Sequence, residues 1–511
     1  ALLNGLRRTP RMIKGPSEPL TDHGPTPAVG NARAARCYLR GVVLRPQLMC
    51  RMAAVCLLCA GISPTAASDM QEVDLSDGMG AAVMPDRSPQ TSPVPVVPQN
   101  ATIRLRLPPL SSDERREQLR IQSGDGPLRL GFGRTLADFA AAQDAAQAAF
   151  WHETHGGRHL LAWQVRSPGA VGLRLALSAR HLPDDTRFWV SGPDQPAGPP
   201  MSGADINAGI RRNLNSNSAE DTARLIWLPL VVGDTLLLTA EFPAGVRPQG
   251  TAVQPVHIAH LFRLPFLAES RDVLALSDDA TGPRCAKDWG APSRATTLLL
   301  YTHPDGATGA CTGTLLNDAD PDTYIPYVLS AQHCFPDQVR ASSIESLWFA
   351  RSETCGGDPS TYATVSGGAD VLYLAQSTDT ALLRLRRPPP AGAVFAGWKP
   401  VLPGIGTETV GVHHPLAGAQ HRSTATVGEY KTCVEVDWCG DNADPQAIGY
   451  IKVDRWIGGT KPGSSGSGLY NAAGQLIGTN LGGSDAEHFD YYGRFDAPYR
   501  DALHRWLGHK K

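Results

Sequence analysis

Cysteine is missing from the middle of the chain: none of its ten cysteines falls between residues 60 and 284. That excludes a disulfide framework or a thiolate zinc site there. Lysine is missing over nearly the same span, from Lys14 to Lys287, so arginine alone carries that region's basic charge. Net charge is small, −2 with a pI of about 6.8, which gives no footing for nucleic acid or an anionic membrane surface. Long apolar runs are lacking too. The run Ala53-Ala54-Val55-Cys56-Leu57-Leu58-Cys59-Ala60-Gly61-Ile62 is too short to span a bilayer, so no stable membrane association is expected. Glycine (52) and proline (42) are plentiful, which favours β structure with many turns. A chain of 511 residues divides into two or three domains.

Residues 1–48 are rich in Arg and Pro without periodicity and read as a spurious or disordered upstream segment. A basic stretch from Met49, the short apolar run, and Ser63-Pro64-Thr65-Ala66-Ala67-Ser68 give residues 49–68 the layout of a secretory signal. Its start is Met49 or Met52. Lipid anchoring at Cys59 fits less well, because Leu58 before it is not small. Residues 69–100 are polar and then Pro-rich, a disordered linker by composition. From 101 to about 276 the pattern is strand-like: Val171, Leu173, Leu175 and Leu177 alternate with Gly172, Arg174 and Ala176, and further short runs follow between turns. That predicts a β-sandwich, with one helix at Leu136–Phe150 and a long polar loop over 201–222. His152, Glu153, His155 and His159 do not fit His-Glu-x-x-His and are read as scattered polar residues, not metal ligands.

From Cys285 a second all-β unit begins, with room for two six-stranded barrels at about 285–390 and 391–495. Leu503, Trp506 and Leu507 at helical spacing predict a terminal helix over 496–507. Six cysteines lie here: Cys285, Cys311, Cys334, Cys355, Cys433 and Cys439. The number is even and no Cys-x-x-Cys pair occurs among them, which favours disulfides over zinc.

The chemistry concentrates in Lys461-Pro462-Gly463-Ser464-Ser465-Gly466-Ser467-Gly468. Glycines let a backbone come close to a substrate carbonyl and can aim neighbouring N–H groups the same way. Upstream stands His333, after the apolar strand Tyr327-Val328-Leu329 and a small-residue turn. Asp379 opens a strand in Thr378-Asp379-Thr380-Ala381-Leu382-Leu383. The order His, Asp, Ser is that of a chymotrypsin-type triad, not that of α/β-hydrolases.

Residues from about 285 onward resemble trypsin-fold serine proteases, and more narrowly the bacterial lysyl endopeptidases. The matching pieces are Cys311-Thr312-Gly313-Thr314-Leu315, Ala331-Gln332-His333-Cys334, Asp379-Thr380-Ala381-Leu382-Leu383, Ala396-Gly397-Trp398, His413-His414-Pro415, Pro462-Gly463-Ser464-Ser465-Gly466-Ser467 and Asp490-Tyr491-Tyr492-Gly493-Arg494. The upstream half resembles the pro-region of such enzymes more loosely. The resemblance implies an all-β chain, with a trypsin-like double β-barrel catalytic domain over 277–511 preceded by a β-sandwich-like pro-domain at 101–276.

It further implies His333, Asp379 and Ser465 as the catalytic triad, with the N–H groups of Gly463 and Ser465 as the oxyanion hole. Ser465 is chosen over Ser464 and Ser467 because the family pattern puts the reactive serine directly before Gly466. Leu481, Gly482 and Gly483 would pair with the substrate backbone. Asp490 would sit at the base of the primary pocket and receive a Lys or Arg side chain. By resemblance Cys311–Cys334 and Cys285–Cys355 are bridges, which leaves Cys433–Cys439; no later cysteine clamps the C-terminal region. The chain departs from its relatives in carrying Leu481 where they have a histidine, and Trp438 is only a loose match to their stacking tryptophan. Ser464 replaces the aspartate of trypsin-like zymogens, so activation by a buried N-terminal ion pair is not expected.

The function read here is a secreted (extracellular or periplasmic), monomeric serine endopeptidase acting after Lys, and by extension Arg, with no metal or other cofactor. Its partners would be polypeptide substrates and its own pro-domain. An esterase or lipase of α/β-hydrolase type would need Gly-x-Ser-x-Gly, and Gly463-Ser464-Ser465-Gly466-Ser467 lacks the last glycine. A catalytically silent protease-like binding protein would not need an intact triad. The lysine gap adds a condition: a strictly lysine-directed enzyme could not release itself anywhere between Lys14 and Lys287. Arginine acceptance, with cuts after Arg271 or Arg284, is the favoured reading over a second protease.

Overall fold

A computed structural model describes residues 82–85, 93–122, 128–136, 151–247, 253–266, 290–320, 322–352, 358–359, 361–434, 439–441, 449–484 and 487–508. All lie within one compact unit, Glu72–Lys511. The signal segment, Cys285, Cys355, Arg271, Arg284, Trp438 and all but the first residue of the expected helix at 136–150 lie outside the described residues.

The C-terminal half holds two antiparallel barrels. In the first, strands Ala363–Ser366, Glu345–Trp348, Thr296–Thr302, Thr308–Leu316, Tyr327–Ala331, Thr380–Leu385 and Ala369–Ala375 pair in that order. The second closes completely. Glu408–His413, Gly468–Tyr470, Leu476–Ser484, Phe489–Arg494, Tyr450–Ile457 and His421–Cys433 pair in sequence, and the last pairs back with the first. Each barrel has its own core, around Val328, Trp348 and Phe395 in one and Val427, Ile451 and Leu469 in the other. A third apolar cluster joins them, with Leu329 and Leu382 from barrel one and Val412 and Tyr470 from barrel two. The terminal helix packs Leu503 and Leu507 into that cluster. It is helical as expected, but Tyr499–Leu503 is wound as a π-turn between two short α segments.

The N-terminal half is a sandwich of two sheets. One contains Thr102–Arg106, His159–Arg166, Thr235–Phe242 and Arg187–Ser191; the other contains Gly172–Ser178, Gln254–Leu261 and Arg129–Thr135. Trp163 and Leu238 from the first meet Leu173, Leu175 and Ile258 from the second in one apolar core. The second sheet does not stop at the domain. Arg129–Thr135 pairs on its other edge with Thr308–Leu316 of barrel one, Gly131 opposite Thr308. Glycine permits the approach: a Cβ at Gly133 would stand 1.7 Å from the Asp305 carbonyl oxygen.

Two local expectations change, and one buried charge comes to light. The polar stretch 201–222 is not a loop but carries a helix, Gly203–Asn215, followed by a short turn of helix, Glu220–Ala223. Ser202 and Asp205 close its N-terminus as a capping box, and Ile206 and Ile210 face the core. The polar residues masked a narrow apolar stripe. Arg174, the charged residue of the alternating run, is only 2% exposed and bonds to Thr302 and Ser343 of barrel one. Finally, residues 82–85 within the 69–100 segment are ordered. Ala82–Val83 pairs with Val394–Phe395, and Met84 enters the barrel-one core.

Candidate active site

Thr380–Leu385 pairs with Tyr327–Ala331, Ala331 opposite Thr380, so the ends of these two strands bring residues 333 and 379 together. The backbone N–H of His333 donates to Asp379 Oδ1 at 2.8 Å, and Nδ1 lies 2.7 Å from Oδ2. Asp379 has a left-handed backbone (φ 46°, ψ 42°) that aims its carboxylate this way, and its own carbonyl accepts the N–H of Gln332. The carboxylate is 5% exposed and the imidazole 40%. A buried acid thus holds one ring nitrogen, and the imidazole stays partly open to solvent. The Cys311–Cys334 bridge anchors the residue after His333 to the barrel wall. Cys311, His333 and Cys334 crowd together as metal ligands would, but both thiols are consumed in that bridge.

The serine-rich turn is clamped from the first barrel. Thr312 donates its hydroxyl to the Gly463 carbonyl and its N–H to the Ser465 carbonyl, both at 2.8 Å. Gly466 has φ 84°, and a Cβ there would stand 2.2 Å from Ser330 Oγ and 2.4 Å from the Thr312 carbonyl. Glycine is therefore required at 466 for the turn to seat against the histidine-bearing strand. The turn's other side is tied to the strand Leu476–Ser484 through Gly466 N–H to Asn480 O and Asn480 N–H to Ser467 O. Gly463 also has positive φ, 101°. No acceptor among the described residues takes the N–H of Gly463 or of Ser465.

The three serines separate by burial. Ser464 and Ser467 are fully buried, while Ser465 is partly exposed. Ser464 Oγ accepts the Lys461 N–H at 3.1 Å and lies 2.9 Å from His413 Nδ1. The hydroxyl thus links the Lys461 backbone to the His413 ring, with the donor in the second contact set by the imidazole tautomer. Burial holds His413 well below its ordinary pKa and pushes the adjacent His414 down to about 4. Sequence reasoning saw His413-His414-Pro415 only as a matching piece. Its role as the buried support of the turn needed the fold.

A model of the family described as lysyl endopeptidase, C-terminal domain, matches residues 281–493, and a model of the lysyl endopeptidase N-terminal domain matches 106–262. The chain belongs to the lysyl endopeptidase family. It is a trypsin-fold serine endopeptidase. The lysyl endopeptidase of Pseudomonas aeruginosa is 28% identical over 425 residues, 78% of this chain and 85% of that protein. Among solved structures, the active form of the Rv3671c protease from M. tuberculosis is 16% identical, covering 43% of this chain and 84% of that one with a TM-score of 0.30. An inactivated protease paralogue of the scabies mite is 17% identical over 43% and 96%, with a TM-score of 0.32. Those scores add nothing to the fold, which rests on the strand pairings.

The remaining residues singled out in this lysyl endopeptidase family member lie along one wall. Leu481, Gly482 and Gly483 continue the strand Leu476–Ser484 past Asn480, where a register shift separates Asn480 from Gly482. Gly482 and Gly483 pair with Phe489–Arg494 on one side, and no described strand pairs with them on the other. Leu481 joins Cys433, Tyr450 and Tyr491 in a small apolar cluster, beside the Cys433–Cys439 bridge. Asp490 faces Gly483 across that pairing and is 1% exposed. Thr460 Oγ1 donates to its Oδ1 at 2.5 Å, and the Arg455 Nε lies 3.3 Å from its Oδ2. Arg455 carried no signal in the sequence.

Proposed function

We propose that the enzyme hydrolyses peptide bonds after basic residues through His333, Asp379 and Ser465. Ser465 attacks the scissile carbonyl and His333 takes its proton, then gives it to the leaving amine. Asp379 fixes the imidazole tautomer and stabilises the imidazolium. The oxyanion is received by the N–H groups of Gly463 and Ser465. The observation that carries this reading is the Asp379–His333 contact at 2.7 Å, set beside the one serine of three that is not buried. Unbonded N–H groups at Gly463 and Ser465 support the oxyanion assignment. A substrate backbone would add to the open side of Gly482–Gly483, and Asp490 would attract its Lys or Arg side chain. The buried Asp490 carboxylate and the family name of the Pseudomonas relative support the basic preference.

Around this chemistry we place a pro-domain at about 101–276, and secretion guided by residues 49–68. The Cys311–Cys334 and Cys433–Cys439 bridges support an oxidising compartment. No described helix is long and apolar enough to cross a membrane. The test is labelling with a phosphonylating serine reagent, followed by peptide mapping. The label is expected on Ser465, and a label on Ser464, on Ser467 or on none of the three would reject the triad.

A further inference from the structure

The carboxylate assigned to the substrate's basic side chain already has a cation, and that cation is the chain's own. Arg455 lies near the end of the strand Tyr450–Ile457, which pairs with Phe489–Arg494 so that Val453 stands opposite Asp490. Its backbone N–H donates to the His488 carbonyl at 2.8 Å, carrying the pairing one step further. Its side chain turns inward and is 3% exposed. The guanidinium reaches three parts of the pocket wall. Nε sits 3.3 Å from Asp490 Oδ2, Nη2 donates to the Ser484 carbonyl at 2.5 Å, and Nη1 donates to the Gly458 carbonyl at 3.3 Å. Gly458 and Thr460 lead into the serine-rich turn, and Ser484 continues the segment Leu481-Gly482-Gly483. Thr460 takes the other carboxylate oxygen.

We propose that Arg455 is a specificity-determining residue, an internal guanidinium that occupies Asp490 in the free enzyme and that a substrate's basic side chain must displace or share. The proposal rests on the reading of Asp490 as the pocket base. The physical argument is one of charge. A buried carboxylate alone would draw a cation strongly; with a guanidinium fixed against it the pair is neutral, and the attraction for a second cation is largely cancelled. Of the two carboxylate oxygens, Oδ1 is bonded by Thr460, and Oδ2 stands at ion-pair distance from Arg455 Nε, 3.3 Å, without the alignment of a hydrogen bond. The pocket is therefore set for a weaker and less exclusive basic preference than a lone aspartate would impose. Arg455 tunes that preference without touching the nucleophile.

The experiment compares the processed enzyme with Arg455→Gln, Arg455→Lys and Asp490→Asn on matched substrates that differ only in the residue before the scissile bond: Lys, Arg, norleucine or Glu. For Arg455→Gln the Lys-to-norleucine ratio of kcat/KM should rise about tenfold or more, mainly through KM, because one uncompensated buried charge is exposed to the substrate. Arg455→Lys keeps a charge but not the three-way fork, and should raise the ratio by a smaller factor; it serves if the Gln variant does not fold. Asp490→Asn leaves Arg455 unpaired, so basic substrates should fall and the Glu substrate should gain. If the Arg455 variants lose Lys and norleucine activity in equal proportion, Arg455 is only a structural prop and the proposal is overturned. If Asp490→Asn leaves the Lys-to-norleucine ratio unchanged, Asp490 is not the pocket base and the underlying reading fails instead.

Discussion

At the scale of single residues, the site separates the groups proposed to react from the groups that hold them. Ser465→Ala and His333→Ala should abolish peptide hydrolysis while leaving the circular dichroism and unfolding midpoint unchanged. Asp379→Asn should retain activity about 10⁴-fold below wild type, because the imidazole is then held in the wrong tautomer. Ser464→Ala should behave differently. It removes the hydroxyl that links Lys461 and His413 inside the protein, at a cost of about 1–3 kcal/mol in stability, yet Ser465 should still take the phosphonyl label. The buried histidines beside the serine turn, His413 and His414, also contribute to an acid limit. His414 is pushed down to about 4 and His413 lower than its ordinary value by burial, whereas both titrate near 6.5 once unfolded. Below that point the unfolded chain binds more protons than the folded one. The stability from each histidine is therefore full above pH 6.5 and is lost as pH falls toward 4, by about 3 kcal/mol for His414. Urea midpoints measured from pH 7.5 to 4.5 should fall, and His414→Gln should flatten part of that slope.

Elements owe their positions to a few contacts that the residues alone did not announce. The bridge between Cys311 and Cys334 spans 23 residues and fixes the turn after His333. Replacing both cysteines by Ala should lower stability by about 3 kcal/mol on loop-entropy grounds. It should reduce kcat more than it raises KM, since the histidine moves and the pocket does not. In the N-terminal half, the helix Gly203–Asn215 was hidden in the sequence by its polar composition. Its signals were present: Ser202 with Asp205 three residues on, then Ile206 and Ile210 on one face. The barrel strands were far more legible. Tyr327–Ala331 and Thr380–Leu385 are short apolar runs bounded by turns, which is how strands buried in a closed barrel appear.

On the scale of the whole molecule, the two halves share a continuous sheet through Arg129–Thr135 and Thr308–Leu316. Arg174 of the N-terminal half is buried against barrel one, donating to Thr302 Oγ1 and the Ser343 carbonyl at 2.7 Å each, near the buried Glu345. Glu345 in turn accepts the Leu230 N–H at 2.9 Å. Arg174→Ala would remove both bonds and the positive charge near Glu345, and should destabilise the full-length chain by about 1–3 kcal/mol, read from its urea midpoint. Phe266 reaches further, donating its N–H to the Ala417 carbonyl and packing its ring on His414, the neighbour of the turn's support. The proposed pro-domain is tested on the full-length chain. Carrying Ser465→Ala, it should stay full length when expressed alone and be cut after Arg271 or Arg284 when active enzyme is added. Processing of the inactive precursor by itself would assign the cut to another protease.

The sequence by itself determined the class of the protein. The order of His333, Asp379 and Ser465, the glycines around them and the strand-like runs between them are local patterns, and local patterns survive in one dimension. It also located a second β unit ahead of the C-terminal half, and the resemblance it carries implied the Cys311–Cys334 and Cys433–Cys439 pairs. Only the tertiary structure decided which serine is accessible, because burial depends on what packs over a turn and not on the turn. Only it showed that Arg174 is buried, since the covering surface is barrel one. Only it put Arg455 on Asp490: the residues are 35 apart in sequence, and nothing in either neighbourhood distinguishes a strand arginine bound for solvent from one that turns inward. A charge pair across two strands is fixed by register, and register is a property of the closed barrel.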